Sequence, residues 1–372
     1  MAYRALSVVA HLIRVGVPLP FDVHDAERTL LLARGQRVDS SEQLEALFAR
    51  GALVAEGALA PASSPLEQLP RHELPQHWSR CLGRISQALQ HAPPGEFGCA
   101  LEEASTPVLA LIERDPDLAI FQVLRGEGDA TAYGVRRSLN TAITAYLVAQ
   151  RLAWDDGAMH RVFKVALTMN VSMLALQGDL ARQTHLPSEA QREALRLHPL
   201  HSRQMLERAG IGDADWLQAV LRHHEMEDGS GYPTGCSDVG ELASLARRAD
   251  LYTAKLASRS RREALAADVA GRQMFMQDPG HPMTAALVKE FGIYPPGCCV
   301  RLASGATAIV VERGPSVTTP IVACLTRPDG LPLALPLRRE TAEKQHAVVG
   351  IVGERSVNMR VSAEKLFAAA FR

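Results

Sequence analysis

The sequence has almost no excess of charge of either sign, because 40 Lys and Arg residues stand against 41 Asp and Glu residues among 372. A strongly basic or acidic balance is typical of proteins that bind nucleic acids or anionic membrane surfaces through a broad face. The sequence therefore argues against a general binder of either kind, and we expect no DNA partner. A local basic patch remains compatible with this balance.

Long apolar runs and closely spaced cysteine pairs are missing as well. No apolar stretch approaches the roughly 20 residues of a transmembrane helix. The N-terminal segment is interrupted by Arg4, His11 and Arg14, so we expect neither a signal peptide nor a membrane span. The six cysteines are scattered without a CxxC motif, which favours free thiols in a reducing compartment. We therefore predict a cytoplasmic protein.

The patterns that are present divide the chain into four parts. Residues 1–60 mix short β-type runs with one helical segment and predict a small α/β module, and the Pro- and Ser-rich residues 61–75 predict a linker. Residues 76–291 show helical periodicity and predict a helical domain. Residues 292–372 carry apolar runs joined by turns and predict a β-rich module. The predicted fold class is mainly α, with small α/β N-terminal and β-rich C-terminal modules.

Two adjacent histidines stand out in the stretch HHEMEDGSGYP, residues 223–233. His223 and His224 end a helix predicted over 213–225, on the side that faces the interior. A single histidine in such a place is usually a hydrogen-bonded core residue. Two side by side, followed by an acidic glycine-rich turn, favour metal ligands.

The turn after the histidines has a conformational role of its own. Gly229 and Gly231 permit backbone angles closed to other residues, and Pro233 makes the exit rigid. Such a turn either simply connects two elements or presents backbone N–H groups and the ring of Tyr232 to a ligand or partner.

A further histidine lies in the helical segment 187–210, which begins with a capping box formed by Ser188 and Gln191. We predict that Pro199 breaks or kinks this segment and that His198, directly before it, lies in an exposed turn or at a helix start. On its own, His198 fits a structural role as well as a functional one.

Two other helical segments carry residues of interest. The stretch MHRVFKVALTMNVSMLAL predicts one helix over 159–176. A helix predicted over 241–259 carries Asp250 on its apolar stripe. A carboxylate buried there needs a cation, a metal or several hydrogen-bond donors, because an isolated buried charge is unfavourable.

With these residues in view, HHEMEDGSGYP resembles the signature of the HD-GYP family, which is HHE, two residues and DGxGYP. The similarity extends over roughly residues 130–290. The resemblance implies a helical bundle of the HD superfamily. It also implies hydrolysis of cyclic-di-GMP by a cluster of two or three metal ions, often iron or manganese. Two neighbouring ions of this kind activate a hydroxide and neutralise the phosphodiester.

The resemblance assigns metal ligands position by position, and the sequence keeps only part of the set. The positions that keep a residue able to bind a metal ion form a partial site of His198, His223, His224 and Asp250. The changed positions are Arg137 for an upstream histidine, Met169 and Asn170 for a His-Asp pair, and Met173 for the lysine after that pair.

The changed residues lack the chemistry of a two-ion cluster. The amide of Asn170 is neutral and cannot bridge two cations, and the thioether of Met169 is a poor ligand for hard ions. Arg137 places a positive charge at a cation position. The helical stripe predicts that Met169 and Asn170 face the interior. We therefore expect no dinuclear cluster.

Two states of the remaining polar residues stay open. In the first, the three histidines hold a single ion of zinc, iron or manganese. In the second, no metal is bound, and the same histidines form a polar core with an ion pair between Arg137 and Asp250 that replaces the metal charge.

These observations predict a degenerate HD-GYP protein of cyclic-di-GMP signalling, catalytically impaired or inactive, that binds the nucleotide or a GGDEF-type signalling protein. One alternative is a weak metal-dependent phosphodiesterase with a partial metal site, and another is a scaffold whose pocket binds nothing small. The expected binding surface comprises Asp228, Gly229, Gly231, Tyr232, Pro233, Lys255, Arg259 and Arg262. The basic part of this set is equally compatible with a solvated helix end. A homodimer stays open.

Overall fold

The protein forms two compact units in a computed structural model, residues 1–69 and residues 70–372. The described residues are 3–6, 13, 15–17, 19, 21–33, 35–55, 66, 69–126, 133–258, 260, 262–353 and 361–371. The boundary falls in the segment predicted as a linker, of which residues 61–65, 67 and 68 lie outside the described residues. The predicted domain limits stay predictions.

The first unit packs one helix against a small antiparallel sheet. Its elements are β1 (Tyr3–Ala5), β2 (Val23–His24), β3 (Leu30–Leu32), α1 (Ser41–Ala49) and β4 (Leu53–Ala55). The strand order is β1-β4-β2-β3. The side chain of Ser40 accepts a hydrogen bond from the backbone N–H of Gln43 and so begins the helix. The α/β architecture predicted for this part is confirmed.

The second unit is a helical bundle followed by a sheet. Its α-helices are α2 (Leu74–His91), α3 (Phe97–Arg114), α4 (Pro116–Arg125), α5 (Tyr133–Arg151), α6 (Asp156–Thr168), α7 (Leu174–Arg182), α8 (Glu189–Arg208), α9 (Ala214–Arg222), α10 (Glu241–Leu256), α11 (Ala267–Gln277), α12 (Pro282–Phe291) and α13 (Ala363–Phe371). The centre of the bundle is α5, which is buried along most of its length and packs on α6 and α10.

The predicted break in the segment 187–210 is wrong. The capping box at Ser188 is present, but α8 continues through Pro199 without interruption. Proline has no N–H to donate to the carbonyl of Leu195, four residues earlier. The Nδ1 atom of His198 lies 2.6 Å from that carbonyl and donates to it instead. The side chain before the proline thus satisfies the acceptor that the proline leaves unpaired.

The prediction of one helix over 159–176 is also wrong. Helix α6 ends at Thr168, the chain turns at Met169 and Asn170, and a 3₁₀ helix over Val171–Met173 leads into α7. The backbone of Asn170 has φ −106° and ψ 12°, outside the α-helical region. Met169 and Asn170 are nevertheless buried, as predicted.

The last part of the second unit is a five-stranded antiparallel sheet. Its strands are β5 (Cys299–Leu302), β6 (Thr307–Glu312), β7 (Ile321–Thr326), β8 (Pro332–Glu340) and β9 (Val348–Ile351), in the order β8-β7-β6-β5-β9. Ion pairs join the sheet region to the helices, including Arg313 to Glu290 at 2.8 Å and Arg71 to Glu312 at 2.6 Å. The predicted β-rich character is confirmed, although α13 was not predicted.

The observed architecture confirms the predicted fold class, which is mainly α with sheets in the N- and C-terminal regions. Across the ranges that the structure describes, no helix is both long enough and apolar enough to cross a membrane.

Candidate functional site

Three histidines, one on α8 and two in the turn directly after α9, meet inside the bundle. His198 on α8 and His223 directly after α9 are buried, and His224 is half-buried. One ligand nitrogen from each ring lies within 4.8 Å of the other two. The prediction that His198 lies in an exposed turn or at a helix start is wrong, because α8 continues past Pro199 and carries the imidazole into the interior.

The hydrogen bonds of two imidazoles determine which nitrogen carries the hydrogen. Nδ1 of His198 lies 2.6 Å from the carbonyl oxygen of Leu195, and Nδ1 of His223 lies 2.6 Å from that of Val220. A carbonyl oxygen only accepts, so each Nδ1 must donate, and each neutral ring then has a lone pair at Nε2. These two Nε2 atoms face each other at 3.0 Å.

Burial keeps all three imidazoles neutral. It lowers the pKa of His198, His223 and His224 to about 3, and in each case a neighbouring histidine lowers the pKa further. Two facing lone pairs cannot form a hydrogen bond with each other, so the arrangement suits a cation between them. A set of imidazole nitrogens fits one borderline ion such as zinc.

The fourth residue of the predicted partial site is held by an arginine. Asp250 on α10 and Arg137 on α5 are both buried. Nη2 of Arg137 donates to both carboxylate oxygens of Asp250, at 2.8 Å each. This is the ion pair that the polar-core alternative predicts. The positive charge near Asp250 is therefore supplied by the protein itself.

The remaining changed positions offer no carboxylate for a second ion. Met169, Asn170 and Met173 are buried, and among the described residues the Oδ1 atom of Asn170 has no hydrogen-bond partner. Two adjacent cations need a bridging negative charge, which neither an amide nor a thioether provides. The residues present fit a single ion and do not fit a two-ion cluster.

The acidic turn is fixed to the end of α9 by a buried carboxylate that sequence reasoning did not single out. Glu225 accepts hydrogen bonds from the backbone N–H of Thr234 at 2.7 Å, from its hydroxyl at 2.6 Å and from the N–H of Gly235 at 3.0 Å. Tyr232 stacks on His224 with ring centroids 4.6 Å apart. The turn thereby closes over one side of the histidine group.

Gly231 allows this turn to approach the backbone that follows the double histidine. A Cβ atom at this position would lie 2.4 Å from both the Cα of Glu225 and the N of Met226. We expect Gly231→Ala to lower the free energy of unfolding by about 1–3 kcal/mol, as overpacking does elsewhere. Urea unfolding is the measurement. Gly212→Ala is the matched control, because its Cβ would meet no atom within 4 Å, and equal stability of the two variants would contradict this account.

Two arginines that the sequence did not point to hold the same turn from α10. Arg248 is 2% exposed and donates to Glu227 at 3.2 Å and to Asp278 at 2.8 Å. Arg247 donates to the other oxygen of Glu227 at 3.2 Å. Burial opposes ionisation of Glu227, but hydrogen bonds from its own backbone and Ser244, together with both arginines, lower its pKa to about 2. The only hint of their role in the sequence was their position, two and three residues before Asp250.

The other members of the predicted binding surface have varied surroundings. Asp228 is exposed and accepts a hydrogen bond from the N–H of Ser230 at 2.9 Å. Lys255 donates to the side chain of Gln273 at 2.9 Å, and Arg262 donates to the carbonyl of Ala254. The predicted residue Arg259 lies outside the described residues. The role of this surface in binding stays a prediction.

Comparison with protein families gives one match over the helical part of the chain. Residues 129–274 match a family described as an HD domain. This range contains the three histidines, Asp250 and Arg137.

Two curated proteins are similar to the chain. A cyclic di-GMP phosphodiesterase, PA4108 of Pseudomonas aeruginosa, is 27% identical over 245 residues, which cover 64% of this chain and 57% of that protein. A 3'3'-cGAMP-specific phosphodiesterase 3 of Vibrio cholerae is 24% identical over 189 residues, which cover 50% of this chain and 38% of that protein. The chain thus spans little more than half of the first relative's length and less of the second's.

Among solved structures, an HDG"Y"P protein of Bdellovibrio bacteriovorus, Bd1817, aligns with a TM-score of 0.46 and 15% identity. The alignment covers 77% of this chain and 98% of that one.

Proposed function

Since the chain belongs to the HD-GYP family of HD-domain proteins, we propose that it acts in cyclic-di-GMP signalling by binding the nucleotide without efficient hydrolysis. Support for the ligand comes from two relatives that are named as phosphodiesterases of cyclic dinucleotides. Support for impaired catalysis comes from the residues at the centre of the bundle. A GGDEF-type signalling protein bound through the turn of residues 228–233 is the corresponding proposal for a protein partner.

The observation that carries this proposal is the buried ion pair between Arg137 and Asp250. An aspartate that would face metal ions instead holds a guanidinium with both oxygens at 2.8 Å. Asn170 supplies a neutral amide where a charged bridge is required for two ions. Hydrolysis that depends on two ions therefore lacks both the charge and the ligands that it needs in this chain.

The three histidines favour a second candidate function, a slow phosphodiesterase with one ion. His198, His223 and His224 would hold that ion, and their facing Nε2 atoms supply lone pairs for it. A single bound ion supplies Lewis-acid activation of a phosphate oxygen or a water molecule. The residues of the chain position the imidazoles through the carbonyls of Leu195 and Val220 and exclude water by burial.

The two candidates are separated by metal content, nucleotide binding and turnover measured on the same protein. Protein purified without chelators is expected to carry at most one metal ion per chain, to bind cyclic-di-GMP in calorimetry and to release no linear dinucleotide. The variant Arg137→His, Met169→His, Asn170→Asp restores the residues that a two-ion cluster needs, so its metal content is expected to rise above that of the natural chain.

Each other outcome has a definite meaning. Two ions per chain together with turnover in the natural protein would refute the proposal. One ion together with slow turnover would select the second candidate. An absence of binding to cyclic-di-GMP would exclude the nucleotide-binding role and leave the protein partner or the inert scaffold.

A further inference from the structure

Two largely buried arginines from different helices are linked through α10. Arg137 on α5 donates to Asp250, which lies on α10 one helical turn after Arg247. Arg247 in turn contacts Met226 and Glu227, two and three residues after His224. The ring of Tyr232 covers His224 at a centroid distance of 4.6 Å.

Each of these arginines holds one carboxylate and keeps one buried N–H group without an acceptor among the described residues. Arg137 uses Nη2 for Asp250, and its Nη1 has no partner there. Arg247 uses Nη2 for Glu227 at 3.2 Å and places Nη1 3.3 Å from the sulfur of Met226, while its Nε has no partner. The side chains are only 8% and 11% exposed.

Unpaired buried donors of this strength are uncommon, because a buried N–H without an acceptor is unfavourable. Two of them, on arginines linked through the same turn of α10, indicate an acceptor that is not part of the folded chain. A guanidinium donates to phosphate oxygens with favourable geometry and charge. Because Asp250 and Glu227 offset the two positive charges, the pair suits a singly charged phosphodiester better than a multiply charged phosphate.

We propose that Arg137 and Arg247 form a phosphodiester-binding pair, which holds the nucleotide in place of metal ions. The inference rests on the proposed nucleotide-binding function and deepens it by naming the residues that bind the phosphodiester. Asp250 and Glu227 have an orienting role, because each accepts from Nη2 of its arginine and leaves another guanidinium nitrogen without an acceptor.

Calorimetric titration of the full chain with cyclic-di-GMP, in excess EDTA, tests the pair. Arg137→Lys and Arg247→Lys are each expected to raise Kd by about tenfold or more. Lysine keeps the positive charge beside the carboxylate but has no second nitrogen that could donate to the phosphodiester. Asp250→Asn is expected to lower Kd several-fold, since the amide oxygen still orients Arg137 while the opposing charge is removed. Thermal unfolding of each variant verifies that it is folded at the titration temperature.

Arg203→Lys is the matched control, because Arg203 is a partly exposed helical arginine that donates to Glu207 at 2.8 Å. Its Kd is expected to equal that of the natural protein. Should Asp250→Asn fail to fold, the two lysine variants decide the question by themselves.

Several results would overturn the pair. Loss of binding in EDTA, with weaker binding of Asp250→Asn in added metal, would mean that a metal ion holds the phosphodiester. Unchanged Kd in both lysine variants would mean that ordered water satisfies the two N–H groups. If the natural protein does not bind cyclic-di-GMP, the proposed function fails, and dimethyl phosphate, a singly charged phosphodiester, becomes the probe. Binding of dimethyl phosphate that both lysine variants lose would still support the pair, and no binding of it would contradict the pair.

Discussion

Replacing Arg137 by leucine is expected to lower the free energy of unfolding by about 3–5 kcal/mol, because it leaves the carboxylate of Asp250 buried without its partner. Both residues are largely inaccessible to water, with side-chain exposures of 8% and 10%. Water therefore cannot replace the lost guanidinium effectively. Chemical denaturation with urea, followed by circular dichroism, gives the free energy directly.

A double variant and a surface variant show whether burial is the cause. Arg137→Leu combined with Asp250→Leu removes both charges and is expected to recover most of the lost stability, since a buried ion pair is often replaceable by apolar residues. Arg203→Leu breaks an ion pair of the same 2.8 Å length at the surface and is expected to cost less than about 1 kcal/mol. Equal losses in the buried and surface single variants would contradict the explanation.

The second large effect is expected at Glu225. Glu225→Ala removes a carboxylate that is 0% exposed and leaves the backbone N–H groups of Thr234 and Gly235 without their acceptor. We expect a loss of about 3 kcal/mol in the free energy of unfolding, because hydrogen bonds to charged groups contribute more than neutral ones. Amide hydrogen exchange at Thr234 and Gly235 is expected to accelerate at the same time.

Glu225→Gln serves as the graded control. Its amide oxygen can still accept from Thr234, but its amide NH₂ cannot accept from Gly235. An intermediate loss of stability, with faster exchange at Gly235 alone, is therefore expected. If the alanine variant exchanged these two amides as slowly as the natural protein, the turn would be held by other contacts.

The sequence predicted correctly those parts of the structure that depend on local patterns. The capping box at Ser188 predicted the start of α8, and the apolar stripe around Asp250 predicted its burial. The pairing of Arg137 with Asp250 was one of two open alternatives. The ion pair itself depends on the packing of α5 against α10, which brings together two residues 113 positions apart in the sequence, and periodicity does not reveal such packing.

The failures came where a side chain replaced a backbone hydrogen bond or where a helix ended inside the core. Pro199 was expected to interrupt its helix, because the rule assumes that the freed carbonyl stays unpaired. The turn at Met169 and Asn170 was missed, because both residues remain on the buried side and the apolar pattern continues across it. Arg247 and Arg248 were missed because buried arginines next to an acidic turn look like a charged surface when partners are unknown.

The carbonyl oxygen of Leu195 accepts a hydrogen bond from the imidazole of His198 where a regular helix would offer it a backbone N–H. Any ordinary residue at position 199 would bring an amide hydrogen to the same oxygen. The main chain would then be more uniform, but the ring would be free to exchange its two tautomers. In this helix, the backbone hydrogen bond that Pro199 cannot make fixes the tautomer of His198. Nδ1 carries the hydrogen, and Nε2 keeps a lone pair that faces His223.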